Sequence, residues 1–356
     1  MMLFSAGWEL HNGDALEILR GISSGTVNTC VTSPPYYGLR DYGVAGQIGL
    51  ESTPDEYICR MVEVFREVRR ALRDDGTCWI NLGDSYASDP GKRYSGTDPL
   101  NPDKGKSRTR TSFLPPKNLI GIPWRVALAL QADGWYLRSD IIWNKPNAIP
   151  ESVTDRPTKS HEYIFLLSKS VRYYYDAEAI KEPLADSSVL RLAQDIDNQT
   201  GSQRVPGKTN GNMKAVGPRF GGSKYGYDHS EQTRTKSGKE TLQCREKEGN
   251  WGPYKEYCLA NNVWVGSATR NKRDVWTIAT KPYSSAHSAT FPPEIPSLCI
   301  KAGCPEGGIV LDPFAGSGTT LWVAEQLGRQ SIGIELNPEY CNIIYERMNS
   351  ASAAGE

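Results

Sequence analysis

The residues best suited to chemistry lie in the segment Thr-Ser-Pro-Pro-Tyr, at Thr32 to Tyr36. The Ser33 hydroxyl and the Pro34 carbonyl can each accept a hydrogen bond from an amino group. Pro34 and Pro35 restrict the backbone and lack an N–H, so they present carbonyl oxygens at little conformational cost. Tyr36 offers a flat face on which a planar ring can stack. The segment therefore predicts a site that holds an amino group on a planar molecule.

A second candidate site is Asp-Pro-Phe-Ala-Gly-Ser-Gly-Thr-Thr, at Asp312 to Thr320. A short apolar run precedes Asp312 and a helical pattern follows Thr319, which is typical of a nucleotide-type pocket at the carboxyl edge of a sheet. Glycines let the backbone approach a ligand where a Cβ atom would clash. Glu335 ends the next predicted strand, where a carboxylate can accept hydrogen bonds from both ribose hydroxyls.

Two common nucleotide-binding patterns do not fit this second segment. A phosphate-binding P-loop requires Lys after its last Gly, and Thr319 stands there. The dinucleotide fingerprint requires a third Gly at position 321, which is Leu321. Because the pyrophosphate-binding features are missing while the ribose acid Glu335 is present, the pattern favours a cofactor without phosphates, such as S-adenosylmethionine.

The two segments resemble the catalytic motif and the cofactor loop of the DNA amino-methyltransferases. Their order, with the catalytic segment first, is similar to that of the β group of this family. Further resemblance covers about two-thirds of the chain, at residues 10–88, 113–180 and 274–348. The resemblance implies an S-adenosylmethionine-dependent enzyme that transfers a methyl group to the exocyclic amine of a base flipped out of duplex DNA, since the target nitrogen is unreachable inside the helix.

The resemblance also implies roles for individual residues. The catalytic set is Ser33, Pro34, Pro35 and Tyr36, and the cofactor set is Asp312, Pro313, Phe314, Gly316, Gly318, Thr319, Thr320 and Glu335. Asn12-Gly13-Asp14 resembles the acidic turn beside the cofactor's adenine, which adds Asp14. The segment His287 to Pro292 resembles the one before the cofactor loop, so Phe291 either covers the cofactor or fills the core.

Three more segments resemble those around the base pocket of this family: Gly76 to Tyr86, Ser139 to Pro146 and Arg156 to Lys169. Trp143, Asn144 and Lys145 therefore either line the pocket for the target base or are ordinary core and surface residues.

The target base follows from the first motif position only by resemblance. Serine there goes mostly with cytosine N4 in this family, and Asp or Asn mostly with adenine N6, so Ser33 favours cytosine N4 with adenine N6 as the alternative. Methylation of cytosine C5 uses a thiolate, usually in Pro-Cys, and the chain has no Pro-Cys dipeptide. An RNA or protein methyltransferase, or a non-catalytic DNA-binding module, on the same scaffold remain more distant alternatives. The chemistry requires no metal.

The arrangement of apolar residues predicts an α/β fold, a doubly wound and mostly parallel sheet of the Rossmann-like methyltransferase type. Predicted strands are Val27 to Val31, Cys78 to Leu82, Leu137 to Trp143, Glu162 to Leu167, Gly308 to Asp312 and Ser331 to Glu335. The first predicted helix, Thr53 to Leu72, begins with a capping box from Thr53 and Glu56 and is followed by a terminating turn at Asp74-Asp75-Gly76. The other predicted helices are Pro123 to Ala132, Phe291 to Gly303, Thr319 to Gly328 and Pro338 to Met348.

Two polar stretches without periodicity interrupt this pattern. Residues 89–111 form a predicted flexible insertion within a catalytic half at 1–180, and residues 181–273 form a predicted DNA target-recognition insert before an S-adenosylmethionine-binding half at 274–356. The longer insert has 16 basic and 10 acidic residues, so the remaining 263 residues of this neutral chain sum to −6. This segregation favours DNA contact by the insert. A solvated or partly disordered loop is the alternative.

Composition narrows the class of protein further. With 41 basic and 41 acidic residues the chain is no polycation, and 34 Gly with 23 Pro indicate long irregular segments. The N-terminus lacks the pattern of a secretory signal, no apolar run reaches membrane-span length, and eight Cys without Cys-x-x-Cys predict a reducing cytoplasm. Zinc binding by Cys244, Cys258 and His229 matches no standard spacing. Expected partners are double-stranded DNA and a cognate restriction endonuclease, with the chain acting as a monomer or homodimer.

Overall fold

The structure is a computed structural model that describes residues 2–5, 7–87, 114–185, 269–280 and 291–353. Backbone contacts divide the chain into two compact units. One unit comprises Met1–Ile180 with Arg273–Glu356, and the other comprises Lys181–Lys272. The predicted insertion at 89–111 and most of the predicted insert at 181–273 lie outside the described residues.

Eleven strands and six helices are described. The strands are β1 (Met2–Ser5), β2 (Trp8–Asn12), β3 (Val27–Thr32), β4 (Leu72–Leu82), β5 (Tyr136–Asn144), β6 (His161–Ser168), β7 (Glu182–Pro183), β8 (Thr269–Arg270), β9 (Val275–Thr277), β10 (Ile309–Asp312) and β11 (Gln330–Glu335). The helices are α1 (Ala15–Gly21), α2 (Pro54–Ala71), α3 (Ile122–Ala132), α4 (Glu294–Gly303), α5 (Thr319–Gln326) and α6 (Pro338–Ala353).

Nine of the strands form one sheet in the larger unit, in the order β1-β2-β11-β10-β3-β4-β6-β5-β9. The five strands from β2 to β4 in this order run parallel, β6 is antiparallel to both of its neighbours, and β9 is parallel to β5. Buried side chains of α1, α2 and α3 share one core on one face of the sheet, while those of α4, α5 and α6 belong to cores on the other. The predicted doubly wound, mostly parallel sheet is therefore confirmed.

Strand β10 lies between β3 and β11, and this order brings the two candidate segments together. Val310 pairs with Thr29 of β3, and Asp312 pairs with Gly333 of β11. Because parallel strands end at the same edge of a sheet, Ser33 and the loop after Asp312 start side by side. Helix α5 is the direct continuation of that loop.

The N-terminus of α2 differs in one detail from the predicted capping box. The Thr53 hydroxyl accepts from the Glu56 backbone N–H at 3.2 Å, as predicted. The Glu56 carboxylate, however, accepts from the Ser52 N–H at 3.0 Å. The reciprocal bond is thus shifted one residue toward the N-terminus, and both bonds still satisfy backbone donors at the start of the helix.

The predicted end of this helix at Leu72 agrees with the structure to within one residue, but the terminating turn predicted at Asp74-Asp75-Gly76 is wrong. Helix α2 ends at Ala71, and β4 already begins at Leu72. The pairing with β3 moves from Leu72 opposite Val27 to Thr77 opposite Thr29, so residues 73–76 form an irregularity inside the strand. A Cβ on Gly76 would lie 2.9 Å from the Arg73 carbonyl oxygen, which explains why this irregularity contains Gly.

Several elements have no counterpart among the sequence predictions: β1, β2, α1, β7, β8 and β9. Strand β2 pairs with β11 from Trp8 opposite Ser331 to Asn12 opposite Glu335, and Trp8 and Leu10 are buried. Its five residues are too few to give a clear alternating pattern in isolation. The strand is stabilised by its neighbours in the sheet.

The smaller unit is described only at its two ends, where β7 and β8 pair antiparallel. Glu182 accepts there from Arg270 Nε at 2.8 Å and from Lys272 Nζ at 3.3 Å. Cys244, Cys258 and His229 lie outside the described residues. In the parts of the chain that the structure describes, no helix is long and apolar enough to cross a membrane.

Candidate active site

The loop between β10 and α5 begins at a buried carboxylate. Asp312 is 2% exposed, and its Oδ1 accepts from the Thr32 hydroxyl at 2.6 Å and from the Phe314 backbone N–H at 3.1 Å. Burial raises the pKa of Asp312 to about 6, although hydrogen bonds from Thr32, Thr320 and the Phe314 N–H act in the opposite direction. Asp312 therefore joins the start of the loop to the residue preceding Ser33.

Two glycines shape the same loop in different ways. Gly316 has φ +55°, and its N–H donates to Glu335 Oε2 at 2.8 Å. Gly318 has φ +75° and precedes α5, where a Cβ would lie 3.0 Å from two carbons of Ile344 in α6. Both positions favour glycine because their backbone is left-handed. Gly316 contacts the Glu335 carboxylate, whereas Gly318 permits the close approach of two helices.

Glu335 stands at the end of β11 as predicted. Its second carboxylate oxygen accepts from the Asn337 N–H at 2.8 Å. Burial raises the pKa of Glu335 to about 7, and the bonds from Asn337 and Gly316 offset this only in part. The carboxylate is held rigidly by two backbone donors, and it titrates close to neutral pH.

The turn after β2 lies against the same strand end. The Asn12 side-chain amide donates to the carbonyls of Glu335 and Leu336, at 3.0 and 3.1 Å. Asp14 caps α1 by accepting from the Glu17 N–H at 3.0 Å. Sequence reasoning identified Asp14, but it did not assign Asn12 this role of holding the turn onto β11.

These elements enclose a cavity with an empty volume of about 910 Å³, including its open mouth. This size suits a ligand as large as a nucleoside cofactor. Nine predicted site residues line it: Ser33, Pro35, Pro313, Phe314, Gly316, Thr319, Glu335, Asp14 and Phe291. Five others lie outside the lining: Pro34, Tyr36, Asp312, Gly318 and Thr320. Phe291 also packs against the core formed with α4 and α5, so it faces both environments.

One wall of the cavity was not predicted from the sequence. It comes from the segment between the catalytic motif and α2, with the lining residues Tyr42, Val44, Gly46, Gln47 and Ile48. Gln47 accepts from the Tyr42 N–H at 2.7 Å, and the Tyr42 ring meets Tyr340 of α6 edge-on at 6.4 Å. No periodicity or motif marks this segment, so only its position in the fold reveals it.

The catalytic segment is held in place by α2 and by Gly83, the residue directly after β4. The Pro35 carbonyl accepts from the Tyr57 hydroxyl at 2.9 Å, and Pro34 is buried. The Tyr36 ring lies against Gly83, where a Cβ would come within 2.6 Å of the ring. These contacts hold the segment in one conformation.

The Tyr36 hydroxyl enters a polar cluster that the motif alone does not reveal. It donates to Glu162 Oε2 at 2.7 Å and accepts from Asn81 Nδ2 at 2.8 Å. Burial and the neighbouring Glu162 raise the pKa of Tyr36 well above its ordinary value, so the phenol remains protonated. Lys145 forms an ion pair with Glu162. Asn81, Glu162 and Lys145 come from the three segments that resemble the surroundings of the base pocket.

The fold and the cavity define a class of enzyme, the Rossmann-like methyltransferases that use S-adenosylmethionine. Residues 27–346 match the family model of the N6/N4 methyltransferases, described as DNA methylase. The chain therefore belongs to this DNA methylase family. Among the described residues, no cluster of His, Cys, Asp and Glu could hold a metal ion.

Two curated relatives align over almost the whole chain. It is 43% identical over 345 residues to the type II methyltransferase M.Cfr9I of Citrobacter freundii, an alignment that covers 96% of this chain and 88% of the relative. It is also 43% identical over 342 residues to the type II methyltransferase M.SmaI of Serratia marcescens, with 94% and 89% covered.

Solved structures share the fold at lower identity. TTHA0409 from Thermus thermophilus, complexed with S-adenosyl-L-methionine, has a TM-score of 0.51 at 21% identity, with 96% of this chain and 95% of that chain covered. The cytosine-N4-specific PvuII DNA methyltransferase has a TM-score of 0.53 at 18% identity, with 96% and 86% covered.

The residues present fit S-adenosylmethionine, the methyl donor of this family. The cavity lining contains a carboxylate that could accept hydrogen bonds from hydroxyl groups, Glu335, and glycine backbone at Gly316. The cofactor loop contains neither the Lys of a P-loop nor the third glycine of a dinucleotide site. The donor set thus matches a nucleoside cofactor without a pyrophosphate group.

Proposed function

We propose that this protein transfers a methyl group from S-adenosylmethionine to the N4 amine of a cytosine in a specific sequence of double-stranded DNA. The observation that carries the proposal is that Ser33 lines the same cavity as Gly316 and Glu335. One cavity can thereby hold a methyl donor next to hydrogen-bond acceptors for an amine. The bond from Thr32 to Asp312 fixes the distance between the two halves.

The cofactor would occupy the side of the cavity formed by the β10–α5 loop. Glu335 accepts the ribose hydroxyls, Phe314 and Gly316 flank the methionine portion, Asp14 lies near the adenine, and Phe291 covers the ligand. When bound, S-adenosylmethionine supplies a methyl group on a positively charged sulfur. Because that sulfur already carries the leaving-group charge, the reaction needs no metal.

The target amine would lie on the side formed by the catalytic segment. The lone pair of such an amine is delocalised into the ring, so the amine is a poor nucleophile. Acceptors that hold its hydrogens favour the pyramidal nitrogen that can attack a methyl group. Ser33 Oγ and the Pro34 carbonyl are these acceptors, and the Tyr36 ring stacks on the flipped base. Pro35, anchored by Tyr57, keeps the backbone in place.

Ser33 at the first motif position supports cytosine N4 over adenine N6, which remains the alternative. The hydroxyl and a carboxylate can both accept from an amine, so the preference rests on the family resemblance. Methylating plasmid DNA, digesting it to nucleosides and analysing them by mass spectrometry tests the choice directly. N4-methylcytosine is expected, and N6-methyladenine would establish the alternative.

Ser33→Ala tests the role of the catalytic segment. We expect tritium transfer to DNA to fall by about 100-fold, the range for loss of a positioned polar group in the transition state. The affinity for labelled cofactor in equilibrium dialysis should stay unchanged. Turnover equal to that of the unchanged protein would remove Ser33 from the mechanism. Parallel assays on RNA and protein would identify a different substrate class.

Sequence recognition would reside in the insert at 181–273, between a catalytic half at 1–180 and a cofactor-binding half at 274–356. Its net charge of +6 supports contact with DNA phosphates. The relatives named type II methyltransferases support site-specific methylation next to a cognate restriction endonuclease. Shortening residues 186–260 should abolish site choice and spare cofactor binding. Retained site choice would place recognition elsewhere.

A further inference from the structure

Behind the catalytic segment, three residues outside the motif form a compact polar cluster with it. Asn81 of β4 is 4% exposed, and Glu162 at the start of β6 has a side chain that is 15% exposed. Lys145, directly after β5, pairs with Glu162, and its Nζ lies 4.2 Å from the Trp143 ring centroid. Removing a charged pair from water costs free energy unless its hydrogen bonds are satisfied. The positions of Lys145 and Glu162 are therefore tightly constrained.

The hydrogen bonds in this cluster can run in only one direction. An ionised Glu162 can only accept, so the single Tyr36 proton is committed to it at 2.7 Å. The Tyr36 oxygen can then only accept, and it does so from Asn81 Nδ2 at 2.8 Å and from Ser33 Oγ at 3.4 Å. The Ser33 proton is therefore directed inward, toward Tyr36.

Asn81 reinforces this direction. Its Nδ2 carries two hydrogens, and its two shorter bonds go to Tyr36 at 2.8 Å and to Glu162 at 3.0 Å. The third contact, to Ser33 Oγ, is longer at 3.4 Å. Because Glu162 requires a donor, the amide nitrogen rather than the amide oxygen must face it. The lone pairs of Ser33 Oγ thus remain available on the side of the cavity.

We propose that Glu162 is a positioning residue that makes Ser33 a hydrogen-bond acceptor. By taking the Tyr36 proton, its carboxylate directs the Ser33 proton inward and turns the Ser33 lone pairs toward the target amine. Lys145 balances the charge of Glu162, and Asn81 fixes the positions of Tyr36 and Glu162 by donating a hydrogen bond to each. The inference rests on the proposed amine methylation and names residues that prepare Ser33 for it.

The substitution Glu162→Gln keeps the size and shape of the side chain but removes the constraint on the direction of the hydrogen bonds. A glutamine side chain can donate to the Tyr36 oxygen, and Tyr36 is then free to donate to Ser33. Ser33 would have to turn its own proton toward the cavity, where it opposes an amine hydrogen. Tyr36→Phe removes the intermediate hydroxyl and leaves the Ser33 proton without its acceptor. Both changes act through the same chain of bonds.

The test compares the unchanged protein, Glu162→Gln, Tyr36→Phe and the double variant in single-turnover tritium transfer to DNA. We expect Glu162→Gln to slow transfer by about 100-fold, the typical loss on misplacing a reacting group. Cofactor affinity in equilibrium dialysis and KM for DNA should stay within about threefold. The double variant should be about as slow as the slower single variant, because coupled residues are not additive.

Glu67→Gln is the matched control. Glu67 is also a partly buried carboxylate paired with a basic residue, Arg70 in α2, and it does not line the cavity. We expect its transfer rate to match that of the unchanged protein. A fluorescent adenine analogue beside the target base adds a readout independent of transfer, since Glu162→Gln should leave base extrusion intact.

Three results would overturn the inference. The first is a transfer rate of Glu162→Gln within about threefold of that of the unchanged protein, and the second is a loss of rate in the double variant equal to the product of the two single losses. The third is a fall in cofactor affinity as large as the fall in transfer rate. The proposed function is judged separately by the unchanged protein. If the unchanged protein produces N6-methyladenine, the proposed target base is wrong. The transfer rates still test the role of Glu162, because the tritium assay measures methylation of either base. If it methylates no DNA in a mixed genomic pool, both the function and the role of Glu162 are refuted.

Discussion

The Thr32 hydroxyl donates to Asp312 Oδ1 at 2.6 Å, across 280 residues of sequence. Thr32 is the last residue of β3 and Asp312 the last of β10, and each is followed directly by one half of the candidate site. Both side chains are buried. A single short bond therefore sets the spacing between the catalytic segment and the cofactor loop.

Asp312→Ala should weaken cofactor binding indirectly, since Asp312 lies outside the cavity lining. The change leaves the Thr32 hydroxyl and the Phe314 N–H without their acceptor, at a cost of about 1–3 kcal/mol each. Asp312→Asn is the matched control, because the bonds from Thr32 and Phe314 both end on one oxygen, which an amide retains. We expect equilibrium dialysis to show strongly reduced affinity for Ala and nearly normal affinity for Asn. Equal losses would mean that the charge itself matters.

Asp312 should also make stability depend on pH. Burial raises its pKa to about 6, above the value in the unfolded chain. Its contribution to stability is therefore present at low pH and is lost as the pH rises through about 6. Asp312→Asn lacks this titration, so its melting temperature relative to the unchanged protein should increase from about pH 4 to about pH 7. A difference that is constant over this range would contradict the prediction.

Cofactor affinity should rise with pH through the titration of Glu335. Burial raises the pKa of Glu335 to about 7, and the carboxylate accepts ribose hydroxyls better than the neutral acid does. We expect affinity measured by calorimetry to increase up to about pH 7 and then level off. Glu335→Gln should lack most of this rise and bind about 10- to 100-fold more weakly at high pH. An identical pH profile in both proteins would assign the titration to another group.

Gly83→Ala should impair methyl transfer by displacing Tyr36. The added Cβ would lie 2.6 Å from the Tyr36 ring, a distance that real contacts do not reach. Because Gly83 lies outside the cavity lining, cofactor affinity should stay normal while turnover falls by about 100-fold, as for other misplaced reacting groups. Equilibrium dialysis measures the cofactor affinity and tritium transfer measures the turnover, both on the same preparation. Normal turnover would show that the ring can shift without cost.

Gly318→Ala should destabilise the protein more than Gly328→Ala does. Both glycines have positive φ, +75° and +68°, so alanine is strained by about 1–2 kcal/mol at either position. Only at 318 would the new Cβ also press on Ile344, at 3.0 Å, while at 328 the space is open. Urea unfolding of both variants measures the difference. Equal losses would show that α6 moves aside freely.

Much of the fold was predictable from local patterns. The spacing of apolar residues predicts α2, and short apolar runs predict β3, β6, β10 and β11. These patterns are local because they reflect the burial of one helix face or of a whole strand. The chemical roles of Ser33 and Glu335 were likewise proposed from residue type and position in a motif. The turn expected at Asp74 to Gly76 was wrong because pairing with β3 overrides the local turn preference.

Residue types and short motifs determined by themselves which groups could bind an amine and a nucleoside cofactor. Only the tertiary structure decided which groups meet. The insertion of β10 between β3 and β11, the bond from Thr32 to Asp312, and the convergence of Asn81 and Glu162 on Tyr36 join residues distant in sequence. Such contacts depend on which strands pair and which faces pack. Burial over the whole chain selects that pairing, and no local segment contains it.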